Sequence, residues 1–338
     1  LRQQQILISR RGGPEVLQLV DAPMPQPGPG QVRLRILATG VAFADVLMRE
    51  GLYPGTPPYP FAPGYDVVGE INAVGQDSGL TIGQRVAALT VTGGYARYMA
   101  VPAEDCVAVP EEVDSASAVS LVLNYLTAYQ MLHRVAAVAA GSRILVHGAA
   151  GGAGSALVEL AALTGCTIYG TASKAKHGLL TRLGAVPIDY RSEDFVARIR
   201  ELTGTGVDAV FDPIGGSYWR RSFATLRPGG VMVCYGASTT TSGGRRNFWN
   251  ILRFLVGMPR YTPLSLLNKS VGVHGFNVTL RKKSRPDLYR ADLTTLLGML
   301  AEGRIAPVIG ARVPLEQAAE AHAMLNSASV SGKIVLEP

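Results

Sequence analysis

Residues 143–156 read R-I-L-V-H-G-A-A-G-G-A-G-S-A. The apolar run before His147 has the pattern of a buried strand, and the alanines beyond Gly152 permit a closely packed helix. Between them Gly148, Gly151 and Gly154 recur at every third position, with Gly152 and Ala153 in the gap. A strand that turns sharply into a helix and presses its backbone against a pyrophosphate needs such small residues, because side chains would obstruct the approach. The phosphate charge then rests on the amides at the helix N-terminus. A glycine triplet alone also fits an unliganded strand-to-helix turn, so the flanking sequence decides.

Downstream the pattern alternates. Strand T-I-Y-G-T-A is followed by a helix over 174–183, strand V-P-I-D-Y, a helix from Ser192, strand D-A-V-F-D, a helix around Tyr218 and strand V-M-V-C-Y-G. Repeated strand and helix units predict a doubly wound parallel sheet, an α/β Rossmann domain. A less regular stretch, 237–269, precedes a further strand V-G-V-H-G-F at 271–276. Helices over 287–302 and 315–327 follow, and S-G-K-I-V-L-E-P reads as a last strand. Upstream, V-R-L-R-I-L-A-T-G-V, D-V-V-G-E-I-N-A-V-G, R-V-A-A-L-T-V and A-R-Y-M-A-V-P are short apolar runs set off by glycine and proline, the texture of a mostly β domain. Alanine, leucine and valine dominate 115–140 and favour helix there. No repeat or low-complexity tract interrupts the chain.

A length of 338 residues predicts about two domains. With 47% hydrophobic and 17% charged residues the chain is not intrinsically disordered. No run approaches the ~18 apolar residues of a membrane span, and the start has no signal-peptide pattern, so a soluble, cytoplasmic protein is expected. Cys106, Cys166 and Cys234 lie far apart and read as reduced thiols. Of the formal charge of +7, residues 245–290 hold ten Lys or Arg against one acid, Asp287. Such a patch suits a phosphorylated cofactor or an acidic carrier; RNA-binding motifs are absent, and no nucleic-acid partner is expected.

The second strand after the glycines ends in T-A-S-K-A-K. A reader of the ribose 2′-hydroxyl would place Asp or Glu there, about 20 residues past the glycines. Ser173, Lys174 and Lys176 suit a 2′-phosphate instead, with Tyr190 flanking the adenine ribose. The cofactor expected is NADPH.

With these motifs in place the sequence resembles the medium-chain dehydrogenase/reductase family, in particular its zinc-free quinone oxidoreductase group with zeta-crystallin. The resemblance runs nearly end to end, through G-V-A-F-A-D, R-E-G-L-Y-P, P-F-A-P-G-Y-D-V-V-G-E, G-Q-R-V-A, G-G-Y-A-R-Y, L-N-Y-L-T-A-Y, the glycine loop, D-P-I-G-G, L-R-P-G-G and S-G-K-I-V-L-E-P. N-Y-L-T-A-Y, G-T-A-S, I-D-Y and D-P-I-G-G look most like the vesicle amine transport protein branch. The resemblance implies a GroES-like, mostly β catalytic domain made of 1–122 and 271–338, with the Rossmann domain, 123–270, inserted. It also implies a homodimer through residues 271–276, where an apolar edge strand needs cover.

Zinc alcohol dehydrogenases of this family place a cysteine in G-V-C-x-x-D and a histidine in G-H-E-x-x-G; this chain has Ala42 and Tyr65. Without thiolate and imidazole no Lewis acid is expected to ionise an alcohol, and no metal is assigned. Quinone oxidoreductases usually carry Asn where Ala42 stands, which implies a pocket of altered size or polarity.

Metal-free hydride transfer to a quinone or activated alkene needs a dry pocket and a proton donor rather than a strong base. The resemblance to the mitochondrial enoyl reductases makes Tyr53 the leading donor, and a phenol near pKa 10 suits late proton delivery. Packing against Pro54 and Pro60 is its plainer role. The resemblance also places Asn124 and Thr127 at the cofactor, and Gly236, Phe276 and Asn277 complete that set. Ala42, Phe43, Tyr59 and Trp249 are assigned to the substrate pocket, with Phe276 and Asn277 as further candidates to line it, although each aromatic alone fits a core as well. His147, His274 and His322 read as structural, and Lys333 as a surface lysine or one that reaches the cleft.

The activity implied is NADPH-dependent reduction of a quinone or other conjugated carbonyl, with an enoyl-thioester reductase as the near alternative. A membrane-associated or binding module with the same fold is the alternative of another class, suggested by N-F-W-N-I-L-R-F-L-V.

Overall fold

Strand β1 (Arg2–Ile8) folds back on β2 (Leu17–Pro23), with Ile8 opposite Leu17 and Arg2 opposite Pro23. In β3 (Gln31–Val41) Val32, Leu34 and Ile36 turn inward while Arg33 and Arg35 alternate outward, the period of a half-buried strand. Helix α1 (Phe43–Arg49), β4 (Asp66–Val74), β5 (Arg85–Leu89), β6 (Tyr98–Pro102) and β7 (Val107–Ala108) follow. Asp114 caps α2 (Ser115–Ser120) by accepting the Ser117 amide at 2.9 Å. Two π-helical segments, Leu121–Tyr125 and Gln130–Val135, carry the helical path on around α3 (Leu126–Tyr129).

The alternating region then gives β8 (Arg143–Val146), α4 (Gly152–Leu163), β9 (Thr167–Ala172), α5 (His177–Arg182), β10 (Ala185–Asp189), α6 (Phe195–Thr203), β11 (Val207–Asp212), α7 (Ser217–Ala224), β12 (Leu226–Cys234), α8 (Pro263–Lys269) and β13 (Gly272–Gly275). Helices α9 (Val278–Ser284) and α10 (Pro286–Ala301), β14 (Ile309–Pro314), α11 (Ala318–Asn326) and β15 (Lys333–Glu337) complete the order.

This is a computed structural model, and it describes residues 1–238 and 257–338. Trp249, assigned to the substrate pocket, lies outside the described residues, as does all of N-F-W-N-I-L-R-F-L-V. The chain forms two units, one through Leu1–Leu126 and Val278–Pro338, the other opening at Thr127 and ending at Asn277. The expected crossings at 122 and 270 therefore move. Composition does not break within the helical path, so nothing in it marks Leu126. At the other crossing, β13 pairs in parallel with β12, Cys234 opposite Gly275, so V-G-V-H-G-F belongs to the inserted sheet.

Among the described residues of the second unit, six parallel strands run β10-β9-β8-β11-β12-β13. The order reverses between β8 and β11, and ligands of such sheets bind outside the carboxyl ends at that reversal. Phe195 and Ile199 of α6 cover the face that carries Leu145, Tyr169, Ile188, Val210 and Met232. His147 is buried and satisfied: Nδ1 meets Thr171 Oγ1 at 3.0 Å, Nε2 meets Ser222 Oγ at 3.1 Å, and Ser222 donates to Asp212 at 2.6 Å. It is structural, as expected.

In the first unit the sheet runs β14-β15-β3-β4-β5-β7, with β6 also on β3. One core fills it with Val32, Leu34, Val67, Ile71, Val86 and Val101; another joins Ile6, Val41, Leu315 and Ala321 to Ile334 and Leu336. Between β15 and β4 a buried ion pair crosses β3: Lys333 Nζ lies 2.7 Å from Asp66 Oδ2, with the side chains 2% and 0% exposed. A Cβ on Gly40 would sit 2.0 Å from Lys333 Cε and 2.4 Å from Asp66 Oδ1, so only glycine lets the lysine pass. Lys333 is thus neither a surface residue nor free, a correction that follows from the passage of its side chain over Gly40.

Removing one partner of a dry ion pair strands the other charge, which costs about 3–5 kcal/mol, whereas removing both costs less. Lys333→Met should lower the unfolding free energy by that amount in denaturant titrations, and Asp66→Asn added to it should restore part of the loss.

Candidate functional site

On the second unit the loop after β8 is shaped by its glycines. Gly148 has φ +61°, and the Gly151 amide donates back to its carbonyl at 2.9 Å. A Cβ on Gly154 would lie 2.2 Å from Gly148 O and 2.8 Å from Ala149 Cα, so the first turn of α4 packs directly on the loop. Gly148 and Gly151 are exposed, Gly152 and Ala153 half-buried. No side chain caps α4 at Gly151. Its leading amides and the positive end of its dipole therefore face an anion site that a larger residue would fill, which fits a pyrophosphate.

Asp189 on β10 stands opposite Ala172 on β9, so Ser173 and Tyr190, the residues that follow, leave neighbouring strand ends together. Lys174 is exposed and Lys176 half-buried, its ammonium ionisation lowered by burial and by the charge of Arg191. The Arg191 guanidinium lies 5.7 Å from the Tyr190 ring centroid, and a hydrogen bond with Tyr190 holds its pKa above the usual value. Arg191 was missed by sequence reasoning, although I-D-Y-R put it beside a chosen residue. Asp189 is spent within its own turn, accepting the Arg191 amide at 3.1 Å and the Ser192 hydroxyl at 2.9 Å. Two cations and a hydroxyl gather here, a fit for a 2′-phosphate.

The remaining cofactor candidates on this unit leave the same edge of the sheet. Gly236 follows β12 so tightly that a Cβ would lie 2.7 Å from Pro213 O. Phe276 follows β13, buried, its amide donating to Cys234 O at 2.9 Å, and Asn277 beside it is exposed. Thr127 is buried where the second unit begins, and Asn124, half-buried in a π-helical segment, belongs to the first. Such segments recur at functional sites.

On the first unit Tyr53 is half-buried, its Oη 2.7 Å from Tyr65 Oη; the rings meet edge-on at 6.3 Å and 84°. Tyr65 Oη in turn lies 2.5 Å from Thr279 Oγ1. Burial, then the neighbouring Tyr53, push Tyr65 ionisation well above the ordinary phenol range, so it stays protonated. Tyr65 entered the sequence reading only as the residue where relatives have a histidine, and Thr279 not at all. No spacing motif links positions 53, 65 and 279.

Ala42 is buried at the start of α1, and its amide donates to Asp45 Oδ2 at 2.9 Å; Phe43 beside it is half-buried. Gly64 donates to Asp45 Oδ1 at 3.1 Å, so one carboxylate fixes both turns next to the tyrosines. Tyr59 gives its hydroxyl to Met48 O at 2.8 Å and packs on Phe61, which leaves only its ring for the pocket role expected of it.

Asp45 also faces Tyr95 Oη at 3.4 Å, which meets His322 Nε2 at 3.1 Å; His322 Nδ1 lies 2.9 Å from Arg49 Nη1, and Arg49 pairs with Glu50 at 3.0 Å. Burial raises the Asp45 carboxyl to about 7. Burial, then Arg49, hold the His322 imidazole down at about 3.

At the positions of the expected zinc ligands Ala42 offers no donor atom, Tyr65 is engaged by two hydroxyls, and Asp66 is paired with Lys333. Among the described residues no three His, Cys, Asp or Glu gather as a ligand set. These donors do not fit zinc.

The model of the alcohol dehydrogenase GroES-like domain matches residues 28–111 and that of the zinc-binding dehydrogenase residues 183–336. The synaptic vesicle membrane protein VAT-1 homolog of Rattus norvegicus is 35% identical over 98% of this chain and 83% of its own length. Among solved structures, Escherichia coli quinone oxidoreductase complexed with NADPH is 28% identical, with a TM-score of 0.88 over 99% of this chain and 100% of that one. CurK enoyl reductase is 26% identical, with a TM-score of 0.84 over 99% of each chain. The chain belongs to the medium-chain dehydrogenase/reductase family of oxidoreductases, on the VAT-1 branch, and has its α/β fold. No helix among the described residues is long and apolar enough to cross a membrane.

The buried network gives opposite pH signatures. His322 binds its proton first in the unfolded chain, so stability falls as pH drops from about 6.5 toward 3, by up to ~1.4 kcal/mol per unit. Asp45 binds its proton first in the folded chain, so stability rises as pH drops from about 7 toward ~4. In denaturant unfolding across this window the cost of His322→Gln should shrink as pH falls, and the cost of Asp45→Asn should grow.

Proposed function

We propose that this protein is an NADPH-dependent, zinc-independent reductase that delivers hydride to a quinone or another carbonyl-conjugated acceptor. The observation that carries this reading is the pairing of an uncapped glycine-loop helix with the Lys176–Arg191–Tyr190 cluster at neighbouring strand ends. The solved E. coli relative, a quinone oxidoreductase complexed with NADPH, supports it.

NADPH, when bound, supplies the hydride. The amides of Gly152, Ala153 and Gly154 hold its pyrophosphate, and Ser173, Lys174, Lys176, Tyr190 and Arg191 hold its 2′-phosphate. Gly236, Phe276, Asn277, Asn124 and Thr127 complete the cofactor's surroundings. Tyr53 gives a proton to the oxyanion or carbanion that hydride addition creates, while Ala42, Phe43 and Tyr59 exclude water from the acceptor. Ala42 and Tyr65 carry neither thiolate nor imidazole, so alcohol oxidation lacks its Lewis acid, and a carbonyl-polarised acceptor is the chemistry left.

Enoyl thioesters meet the same electronic requirement, and the likeness to an enoyl reductase favours them as the second reading. Edge strand β13 joins two copies into a dimer, because its outer hydrogen-bonding edge needs cover. The protein works in the cytoplasm.

Arg191→Ala and Lys176→Ala should each weaken NADPH by roughly 1.5–3 kcal/mol and leave NADH unchanged in fluorescence titrations. Equal wild-type affinity for the two nicotinamides would sink the 2′-phosphate assignment. A quinone, a short enone and an enoyl-CoA, each assayed with NADPH, rank the acceptors. Absence of turnover on all three, with salt-sensitive binding to anionic vesicles, would favour a membrane-associated module.

A further inference from the structure

The proton given up by Tyr53 has to be replaced, and the hydroxyl chain behind it supplies a route. We propose that Tyr65 and Thr279 form a relay that reprotonates Tyr53, with Tyr65 as the residue that positions the Tyr53 hydroxyl and stabilises its phenolate; this rests on the reading of Tyr53 as proton donor.

Three hydroxyls hold three protons, and Tyr65 has one to give. When Thr279 donates to Tyr65 and Tyr65 to Tyr53, the Tyr53 oxygen is an acceptor on its inner side, and its own proton is left for an acceptor outside the chain. The opposite polarity turns that proton inward. Tyr65 is 2% exposed, Tyr53 and Thr279 half-buried, so the middle hydroxyl exchanges protons through its two neighbours. Asp45, also buried nearby, disfavours a charge on Tyr65. The middle residue therefore passes a proton without holding an anion.

The step balances as follows. The acceptor takes a hydride with its electron pair, and its new anion takes a proton as the Tyr53 O–H bond breaks. The Tyr65 proton moves to Tyr53, the Thr279 proton moves to Tyr65, and a solvent water protonates Thr279, leaving hydroxide in bulk. The net reaction adds one hydride and one water-derived proton to the acceptor.

The test uses the full chain without cofactor, carrying tyrosine enriched in the NMR-active heavy carbon isotope at Cζ, in wild type, Tyr65→Phe, Thr279→Val and Tyr53→Phe. The resonance missing from Tyr53→Phe identifies Tyr53. In Tyr65→Phe its chemical shift at fixed pH should move, because the hydrogen bond between the two hydroxyls is lost. Thr279→Val, which keeps side-chain volume, should move it the same way by less.

With NADPH and the best acceptor, Tyr53→Phe should lower kcat about 100-fold. Tyr65→Phe should lower kcat about tenfold at unchanged KM, with a larger solvent deuterium isotope effect. An unmoved Tyr53 resonance and unchanged kcat in Tyr65→Phe and Thr279→Val, while Tyr53→Phe is inactive, overturns the relay and leaves the donor assignment standing. A fully active Tyr53→Phe overturns the donor assignment and the relay with it.

Discussion

A lysine and an aspartate held out of water anchor the first unit. Lys333 on β15 reaches Asp66 on β4 across β3, over the one position where a side chain would block the way, Gly40. Neither charge has solvent to fall back on, so strand register is fixed to within the length of one ion pair. That register sets everything beside it. Asp66 opens β4, Tyr65 directly precedes it, and Gly64 before that donates to Asp45, whose other oxygen holds the Ala42 amide. Tyr65 and the start of α1 thus depend on charges buried away from solvent.

The fold was largely legible because its signals are local. The glycine spacing, the alternation of strand and helix and the V-R-L-R-I pattern each reflect a constraint felt within a few residues. What escaped notice is long-range. Lys333 and Asp66 are separated by 267 positions, and Tyr65 and Thr279 by 214. The β1–β2 pair gave no clear signal, because only one of its strands alternates apolar residues inward. Arg191 escaped for another reason: the reading looked for a missing carboxylate at the second strand and did not extend the cationic argument past Tyr190.

The glycines divide into two physical kinds. Gly154 and Gly236 are required by approach, since a Cβ would collide with backbone, whereas Gly148 is required by its positive φ, an added Cβ there meeting Pro213 Cγ at an ordinary 3.8 Å. A left-handed turn there and crowding at Gly154 let the loop fold tightly onto the helix, as a phosphate cradle needs. A glycine count cannot separate these roles, which is why the triplet was ambiguous until the strand and helix were in place.

Charge balance explains why a neutral phenol, and not a new carboxylate, suits the place of Tyr65. Around Asp45 in the first unit Lys333 is matched by Asp66 and Arg49 by Glu50, while His322 is held neutral by burial and by Arg49. Asp45 beside them accepts from the Ala42 and Gly64 amides, and burial already raises its carboxyl to about 7. A further buried negative charge would have no partner and would cost several kcal/mol. Another acid there would therefore destabilise the fold, whereas a neutral phenol adds hydrogen-bonding capacity without charge. The same balance works against a lasting phenolate at Tyr65 and favours moving a proton through it.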